Sequence, residues 1–568
     1  MTQISGSLIT RNYANFKGVD FSNRKDEISL YRSPDALNVW KNYKGTNGRC
    51  IETRPDIELL SEFDNTIYGI FFYTIYQETH MIIHCGTKLY DVCGINKKLI
   101  YEGLNPRKSA SFVYSNIFFF KDGINYLEYD GETCKKVIGY VPTTSISRSP
   151  AGGGNTYEDI NLLSEYRINT FCADGESTKY YLDVDSIDND YIPIVKVDGI
   201  QTTDFTIGSD KLGAYIEFNS APLEPLTDGQ DNVSIKFKKE ISGYKNRILK
   251  CNLLEVFDNR VFFSGNIDYP STLFHSSLNN PRYVSDLDYY NEGLDTGKIK
   301  TMISGNNALW VIKEPSDANT TIYYHNPTID SEYGKTYPSS HSSISIGCVA
   351  TGLNFNDDII FFSDRGMEGI SSDVTSEQVV AHRSSFVDSK LLNEENYKDM
   401  QLVEWQGYLL VIIDNKIYLA DSREKCQIND HIEYEWFYWE LSEKITYAQV
   451  KDGILYLCAN NNVYSLTSKK DVEAYWTTLE DEFNYPQYQK TTNKKGCVVD
   501  LEGDVTISTK TDNNKFEIIN TYKNAKGFVV PRIKKKKWKS IQLKFSSKTR
   551  FFLYSSTLES YVGSYVKR

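Results

Sequence analysis

The chain has 568 residues, too long for one hydrophobic core and enough for roughly three to five compact units. Charged residues make up 24% and hydrophobic residues 40%, which excludes a disordered chain, and the net charge of −12 argues against broad non-specific binding of nucleic acid or anionic membrane. With 42 Tyr and 28 Phe but only 7 His and 5 Met, the composition favours a β-rich structural protein and leaves few groups for metal or acid–base chemistry.

Residues 1–62 read as an N-terminal arm. The start, MTQISGSLIT, has no basic stretch followed by an apolar core, so a signal peptide is not expected. The segment SPDALNVWKNYK predicts one short helix, with Ser33 as its N-cap, Pro34 at its first position and Asp35 in its first turn. The longest apolar runs, Ile67–Tyr73 and Tyr408–Ile413, fall far short of the roughly 18 residues of a membrane helix. Ten cysteines are scattered without a CxxC pair and read as reduced thiols.

From residue 63 a strand pair recurs: an apolar run, a short polar turn, then a second apolar strand carrying Tyr or another large residue. The copies are Ile82–Val92, Ile117–Tyr129, Val261–Leu278, Leu309–His325, Ile359–Ser371, Leu409–Asp421 and Leu455–Leu466. Their starts are separated by 35, 144, 48, 50, 50 and 46 residues. A hairpin every 40–50 residues, with room for two more strands, is the pattern of a β-propeller. Seven hairpins predict six or seven blades, in two stretches, 63–147 and 251–470. The anomalous gap marks an insertion over 148–250. It opens with SRSPAGGGNTYEDIN and continues with period-two segments such as YYLDV, FTIGSD and NVSIKFKK, which predict an inserted β-sandwich. After residue 470 the rhythm stops, and 471–568 alternates again as a C-terminal β domain. The expected fold is therefore all-β.

Templates for chemistry find no match. There is no GxGxxG, GxxxxGK[ST] or GxSxG. His80 and His84 lie on a strand pattern, about 13 Å apart, too far to share a metal. Asp183, Asp185, Asp188 and Asp190 resemble a calcium loop but lack its glycine and carry Ile187 where a ligand is expected. The segment SDRGMEG (363–369) lacks the spacing and the Trp of the turn repeated in propeller sialidases. No catalytic residue, metal ligand or cofactor is assigned. The single strong charge cluster is Arg532, Lys534, Lys535, Lys536, Lys537 and Lys539 around Trp538. It reads as a solvated edge strand, a contact for an acidic protein partner, or a contact for DNA phosphate.

Two segments carry a family resemblance. Residues 16–60 resemble the opening of phage tail nozzle and head-stabilisation (tail tubular) proteins, with Gly18, Val19 and Asp20 at the entry, Ser33, Pro34, Asp35, Ala36 and Asn38 at the centre, and Arg54–Pro55 at the close. Asp56 departs from the usual Gly. Residues 256–284 resemble that family's blade motif at Asn259, Arg260, Phe262, Phe263, Gly265, Asn266, Pro270, Ser276, Leu278, Pro281 and Tyr283. The insertion is similar to the family's embedded sandwich at 197–200, 216–222 and 232–237. The resemblance implies a virion tail protein, made in the host cytoplasm, that forms a cyclic homo-oligomer of commonly six copies. Such a ring contacts portal, adaptor or other tail proteins and surrounds passing genomic DNA without reading its sequence. It also implies that Arg260 and Asn266 close blades by satisfying turn carbonyls. A host-surface propeller that binds glycans through its Tyr and Trp residues is the alternative, and a glycan-cleaving propeller is a third reading without a residue behind it.

Overall fold

The computed structural model describes residues 6–565 apart from 76, 95, 295, 331–333, 343–344, 371–379, 429–430, 513 and 534–536. It is almost wholly β. The described helical segments are Tyr244–Leu249, Asp388–Leu391 and the 3-10 turn Tyr397–Asp399. The chain divides into two compact units: Met1–Phe72 with Ile83–Gly86 and Ile346–Arg568, and Tyr73–Ile82 with Thr87–Ser345.

Among the described residues seven antiparallel blade units of four strands occur, so the expected six or seven blades resolve to seven; in blade 6 the sheet is extended to six strands by Gly18–Val19 and Arg32–Ser33. Blade 1 runs through Ile67–Ile75, Glu78–Cys85, Lys88–Cys93 and Asn96–Glu102; blade 2 through Ala110–Tyr114, Ile117–Lys121, Tyr126–Tyr129 and Cys134–Lys136. Blade 3 comprises Leu253–Phe257, Arg260–Ser264, Thr272–His275 and Tyr289–Asn291, and blade 4 comprises Ile299–Gly305, Ala308–Lys313, Ile322–His325 and Ser339–Ser342. Blade 5 is built from Gly352–Phe355, Asp358–Ser363, Gly366–Ile370 and Val380–His382; blade 6 from Gln401–Trp405, Tyr408–Ile413, Lys416–Ile428 and His431–Glu440. Blade 7 takes three strands, Tyr447–Lys451, Ile454–Ala459 and Asn462–Ser468, from its own place in the chain. Its fourth is Asp56–Glu62 from the N-terminal arm, paired antiparallel with Asn462–Ser468.

Each sequence hairpin falls on the second and third strands of its blade. The second strands are nearly continuous apolar runs because both of their faces are covered; ALWVIK and YLLVII are buried at every position. The first strands are more polar and half-exposed, as in QLVEW and LLEVF. They sit side by side within each unit: Ala110–Tyr114 by Leu253–Phe257 by Ile299–Gly305, and Gly352–Phe355 by Gln401–Trp405 by Tyr447–Lys451. In blades 2 to 7 the first turn has two consecutive residues with positive φ, such as Asp258–Asn259 and Asn306–Asn307. This is the mirror-image two-residue turn whose twist suits a hairpin, and Asn and Asp tolerate it best.

The insertion between blades 2 and 3 is a sandwich. A six-stranded sheet has the order Asn155–Thr156, Thr143–Arg148, Tyr166–Phe171, Val233–Lys238, Ile194–Val197, Ile200–Thr202. A three-stranded sheet, Lys179–Tyr181, Gly213–Phe218 and Phe205–Asp210, completes it. Phe171, Tyr180, Val195, Ile216, Ile235 and Phe237 fill the space between them. The helix Tyr244–Leu249 then leads back to blade 3.

The C-terminal region and the N-terminal arm form one ten-stranded sheet. Its central strands Ile541–Ser547, Tyr488–Thr511 and Phe551–Tyr565 come from the C-terminal region, whereas Leu8–Tyr13, Ala36–Leu37, Val39–Trp40 and Ile51–Thr53 come from the arm. The helix expected over Ser33–Lys44 is not there. Ala36 and Leu37 pair with Trp476 and Tyr475, Val39 and Trp40 pair with Thr53 and Glu52, and Asn38 between them has φ +57°. The Ser33 hydroxyl accepts from the Asp35 N–H (3.2 Å) but donates to the Thr477 carbonyl (2.6 Å), which anchors a turn on the sheet. A helix of about twelve residues has little stability of its own, and burial of Ala36, Val39 and Trp40 in the core overrides it.

Candidate functional site

The N-terminal motif residues lie within the first unit as joints. Gly18 has φ +147°, and a Cβ built on it would stand 2.2 Å from the Trp436 carbonyl oxygen. Its neighbour Val19 pairs with Trp436 of blade 6, so the strand contact requires a residue without a side chain. Buried Asp20 accepts from the Asn23 N–H (3.1 Å) and side-chain amide (2.9 Å). Pro34 follows the Ser33 anchor, and Asp35 accepts from the Tyr475 hydroxyl (2.8 Å). The Asn38 amide donates to the Glu473 carbonyl (2.9 Å), while its Oδ1 accepts from Arg54 Nε and the Glu440 N–H, each at 2.9 Å. Arg54 is buried and spends its remaining donors on the carbonyls of Pro55 and Glu440, both at 2.8 Å, and on Asp56 (3.2 Å). Burial lowers the pKa of Arg54, and Asp56 works against that shift. The Asp56 that departs from the family pattern is thus a counter-charge for the preceding arginine.

The blade motif lies in the second unit. Asn259 occupies the second positive-φ position of its turn. Arg260 donates to the Ser276 carbonyl (2.9 Å) and to the Tyr337 hydroxyl (3.1 Å). Asn266 donates to the carbonyls of Asn246 (3.1 Å) and Arg247 (2.9 Å) in the helix before blade 3. Gly265 has φ +75°, and a Cβ there would meet Asn252 Oδ1 at 1.9 Å. The Pro270 carbonyl accepts from the Ile299 N–H (2.9 Å), and that of Pro281 from the Tyr126 hydroxyl (3.0 Å). These side chains and carbonyls are turned toward other parts of the blades.

Of the basic run, Lys534, Lys535 and Lys536 lie outside the described residues. Arg532, Lys537 and Lys539 are exposed, while the neighbouring Ile533, Trp538 and Ser540 are buried. Lys537–Trp538 pairs with Lys490–Thr491 at the margin of the ten-stranded sheet. Lys537 and Lys539, on either side of buried Trp538, are therefore turned away from the core.

The acidic loop of the sandwich distributes its carboxylates. Asp183 accepts from the Thr144 hydroxyl (2.6 Å), Asp188 from the Glu240 N–H (2.7 Å), and Asp190 is bound by Lys238. His80 faces Asp91 at 3.0 Å, and His84 faces the Gly86 carbonyl at 3.1 Å. Among the described residues no group of three or more His, Cys, Asp or Glu side chains could hold a metal ion. Blade 5 does bring Ser384, His382 and Asp388 together. However, Ser384 donates to Asp388 (2.6 Å), and the two His382 nitrogens face Asp388 (2.6 Å) and Glu368 (3.3 Å). No ring nitrogen is left to take a proton from the hydroxyl, so the trio is not a nucleophile–base pair. Burial lowers the pKa of His382, but hydrogen bonds to the two carboxylates raise it to about 10.

One cavity stands out by its charge. It holds about 250 Å³ within the first unit and is lined by five cations, Lys44, Arg54, Lys469, Lys470 and Arg550, against the single acid Glu52. Trp40 and Trp405 stack 5.1 Å apart in the wall, and Trp439 meets Trp40 edge-on. The buried Trp40 indole N–H has no hydrogen-bond partner among the described residues. Glu52 is held by Asn42 (2.8 Å) and Arg550 (3.3 Å); burial raises its pKa, and both partners oppose the rise. The sequence gives only Arg54 and Pro55 as a hint of this cavity. Trp40, Asn42, Lys44, Glu52 and Thr53 of the same arm line it too, and the rest of its wall (Trp405, Gln406, Leu466 to Lys470 and Arg550) comes from segments some 350 to 500 residues further along the chain.

No protein-family model matches the chain, and no curated protein does. Among solved structures it is similar to BamB from Moraxella catarrhalis, at 9% identity and a TM-score of 0.33, over 72% of this chain and 96% of that one. Hsv2 from Kluyveromyces lactis aligns at 9% identity and a TM-score of 0.25, over 67% and 99% of the two chains. An exo-β-1,3-galactanase from Phanerochaete chrysosporium aligns at 8% identity and a TM-score of 0.17, over 79% and 95%. At these scores the likenesses decide nothing about activity or ligand, and the blade assignment rests on strand order.

Proposed function

We propose that the chain is a virion structural subunit, a phage tail nozzle or tube-like ring on the head–tail axis that encloses the DNA ejection channel and mounts other tail proteins. The observation that carries this reading is the role of the resemblance positions. Gly18, Asn38 and Arg54 tie the arm to blade 6 and the ten-stranded sheet, Arg260 ties strands within its blade, and Asn266 ties the preceding helix to blade 3. A motif made of joints and not of reactive groups suits a family whose members are building parts. The charge agrees with it: a chain at −12, repeated around DNA, repels phosphate and lets the duplex slide. The exposed Arg532, Lys537 and Lys539 then serve as a contact for an acidic neighbour. Mass spectrometry of purified phage particles tests the reading. The chain is expected in stoichiometric amount among tail proteins; particles that lack it, together with a monomeric purified protein, contradict the reading.

A further inference from the structure

Two strands of the first unit end their sheets with an open edge, and the two edges carry opposite charge. The strand Glu517–Val529 pairs with Tyr488–Thr511 along one side, and no strand pairs with its other side among the described residues. Its exposed side chains include Lys523 and Lys526, together with Ile518 (69% exposed) and Phe528 (74% exposed). Over 521–539 the sequence has eight cations and no acid. Neither Lys523 nor Lys526 makes an ion pair among the described residues. The strand Asp56–Glu62 is the outermost strand of blade 7 and pairs only with Asn462–Ser468 among the described residues. Over 56–64 the sequence has four acids and no cation. The register slips at Leu60, and Leu59 and Leu60 are both about half exposed. Each edge thus offers main-chain donors and acceptors, charge of one sign, and two large apolar side chains.

Charges on an edge strand keep sheets from joining. Here they do so only between like edges: two lysine edges repel each other, and so do two acidic edges. The lysine edge of one copy and the acidic edge of another attract. A contact between two different surfaces of the same chain runs head to tail, and with a closing rotation it makes a ring. We propose that Glu517–Val529 of one copy docks edge to edge on Asp56–Glu62 of the next, joining the ten-stranded sheet of one subunit to blade 7 of its neighbour. The shared edge supplies main-chain hydrogen bonds, Glu58 and Glu62 of the next copy face Lys523 and Lys526, and its Leu59 and Leu60 cover Phe528. The proposal rests on the ring reading and names the acidic neighbour of the basic segment as a second copy of the chain. Duplex DNA suits this edge less well, because phosphate gains nothing from the exposed Ile518 and Phe528 beside the lysines.

Sedimentation velocity on the full-length protein tests the contact with two charge-reversed variants, Lys523→Glu with Lys526→Glu, and Glu58→Lys with Glu62→Lys. Each variant alone places like charges across the contact and should associate at least about tenfold more weakly than the wild type. Mixed in equal amounts, the two variants should regain association, since every junction between unlike copies again sets acid against base. A ring with an even number of copies then closes with the two alternating. This recovery separates a broken contact from a damaged fold, because mixing does not repair a misfolded subunit. Wild-type affinity in either variant overturns the proposal and leaves the ring reading standing, and so does a mixture that associates no better than its components. If the lysine variant assembles like the wild type but no longer retains duplex DNA, the lysines hold phosphate and the proposal fails in favour of nucleic acid. A wild type that stays monomeric overturns the proposal and the ring reading together.

Discussion

A methyl group on Gly18 would sit 2.2 Å from the carbonyl oxygen of Trp436, with a backbone φ of +147° that side chains avoid. Gly94 also has positive φ (+60°), but a Cβ there meets nothing within 4 Å. The pair separates backbone strain from a blocked contact. Gly94→Ala should cost about 1 kcal/mol through φ alone. Gly18→Ala should cost about 3 kcal/mol or more, because the strand contact with blade 6 must also open. Urea unfolding of the two variants measures the difference, and equal midpoints would show that the arm does not need this close approach. The partners of these joints explain what the sequence hides. Asn38 bonds to Glu473 and Glu440, and Ser33 to Thr477, more than 400 residues away. Local pattern shows a Ser-Pro-Asp helix start; the distant partners that turn it into a strand leave no local mark. The cavity is hidden for the same reason, since Lys469, Lys470 and Arg550 are unremarkable surface residues until the fold brings them to Trp40.

Blades were legible because their second strands are covered on both faces and read as nearly unbroken apolar runs, each followed by a short turn and a mixed third strand. First strands, half-exposed and mixed, gave no such signal. Neither did Asp56–Glu62, whose pattern of one buried and several exposed positions does not reveal that it completes blade 7. That strand and the other arm strands make a specific expectation. A chain that starts at residue 63 loses the fourth strand of blade 7 and four strands of the ten-stranded sheet at once. Hydrogen exchange should then quicken in both Asn462–Ser468 and Phe551–Tyr565, and protection retained in both would contradict the arm's structural role. Blade 5 carries a pH expectation. His382 has a folded pKa near 10 against about 6.5 when unfolded, so its protonated form stabilises the blade. That contribution is complete below about pH 6.5 and is lost as pH rises through about 10. His382→Gln should therefore lower stability by about 1–3 kcal/mol at neutral pH and by much less near pH 11. A stability gap that stays constant over that range would mean that the His382 ion pairs do not contribute.

At the scale of the whole molecule, composition excluded classes of function more readily than it identified one. The shortage of His and Met and the acidic balance agree with a chain that is used for its shape. Charge first argues against nucleic acid, and in the ring reading it becomes the property that keeps DNA moving. The claim that matters most is that copies of this chain surround a channel. Electron microscopy of the purified full-length protein, with class averages along the symmetry axis, tests it most directly. The account predicts closed rings, six copies in each, around a hole wide enough for duplex DNA, roughly 20 Å or more. Single subunits at every concentration examined, or closed rings whose centre is too narrow for a duplex, would contradict it.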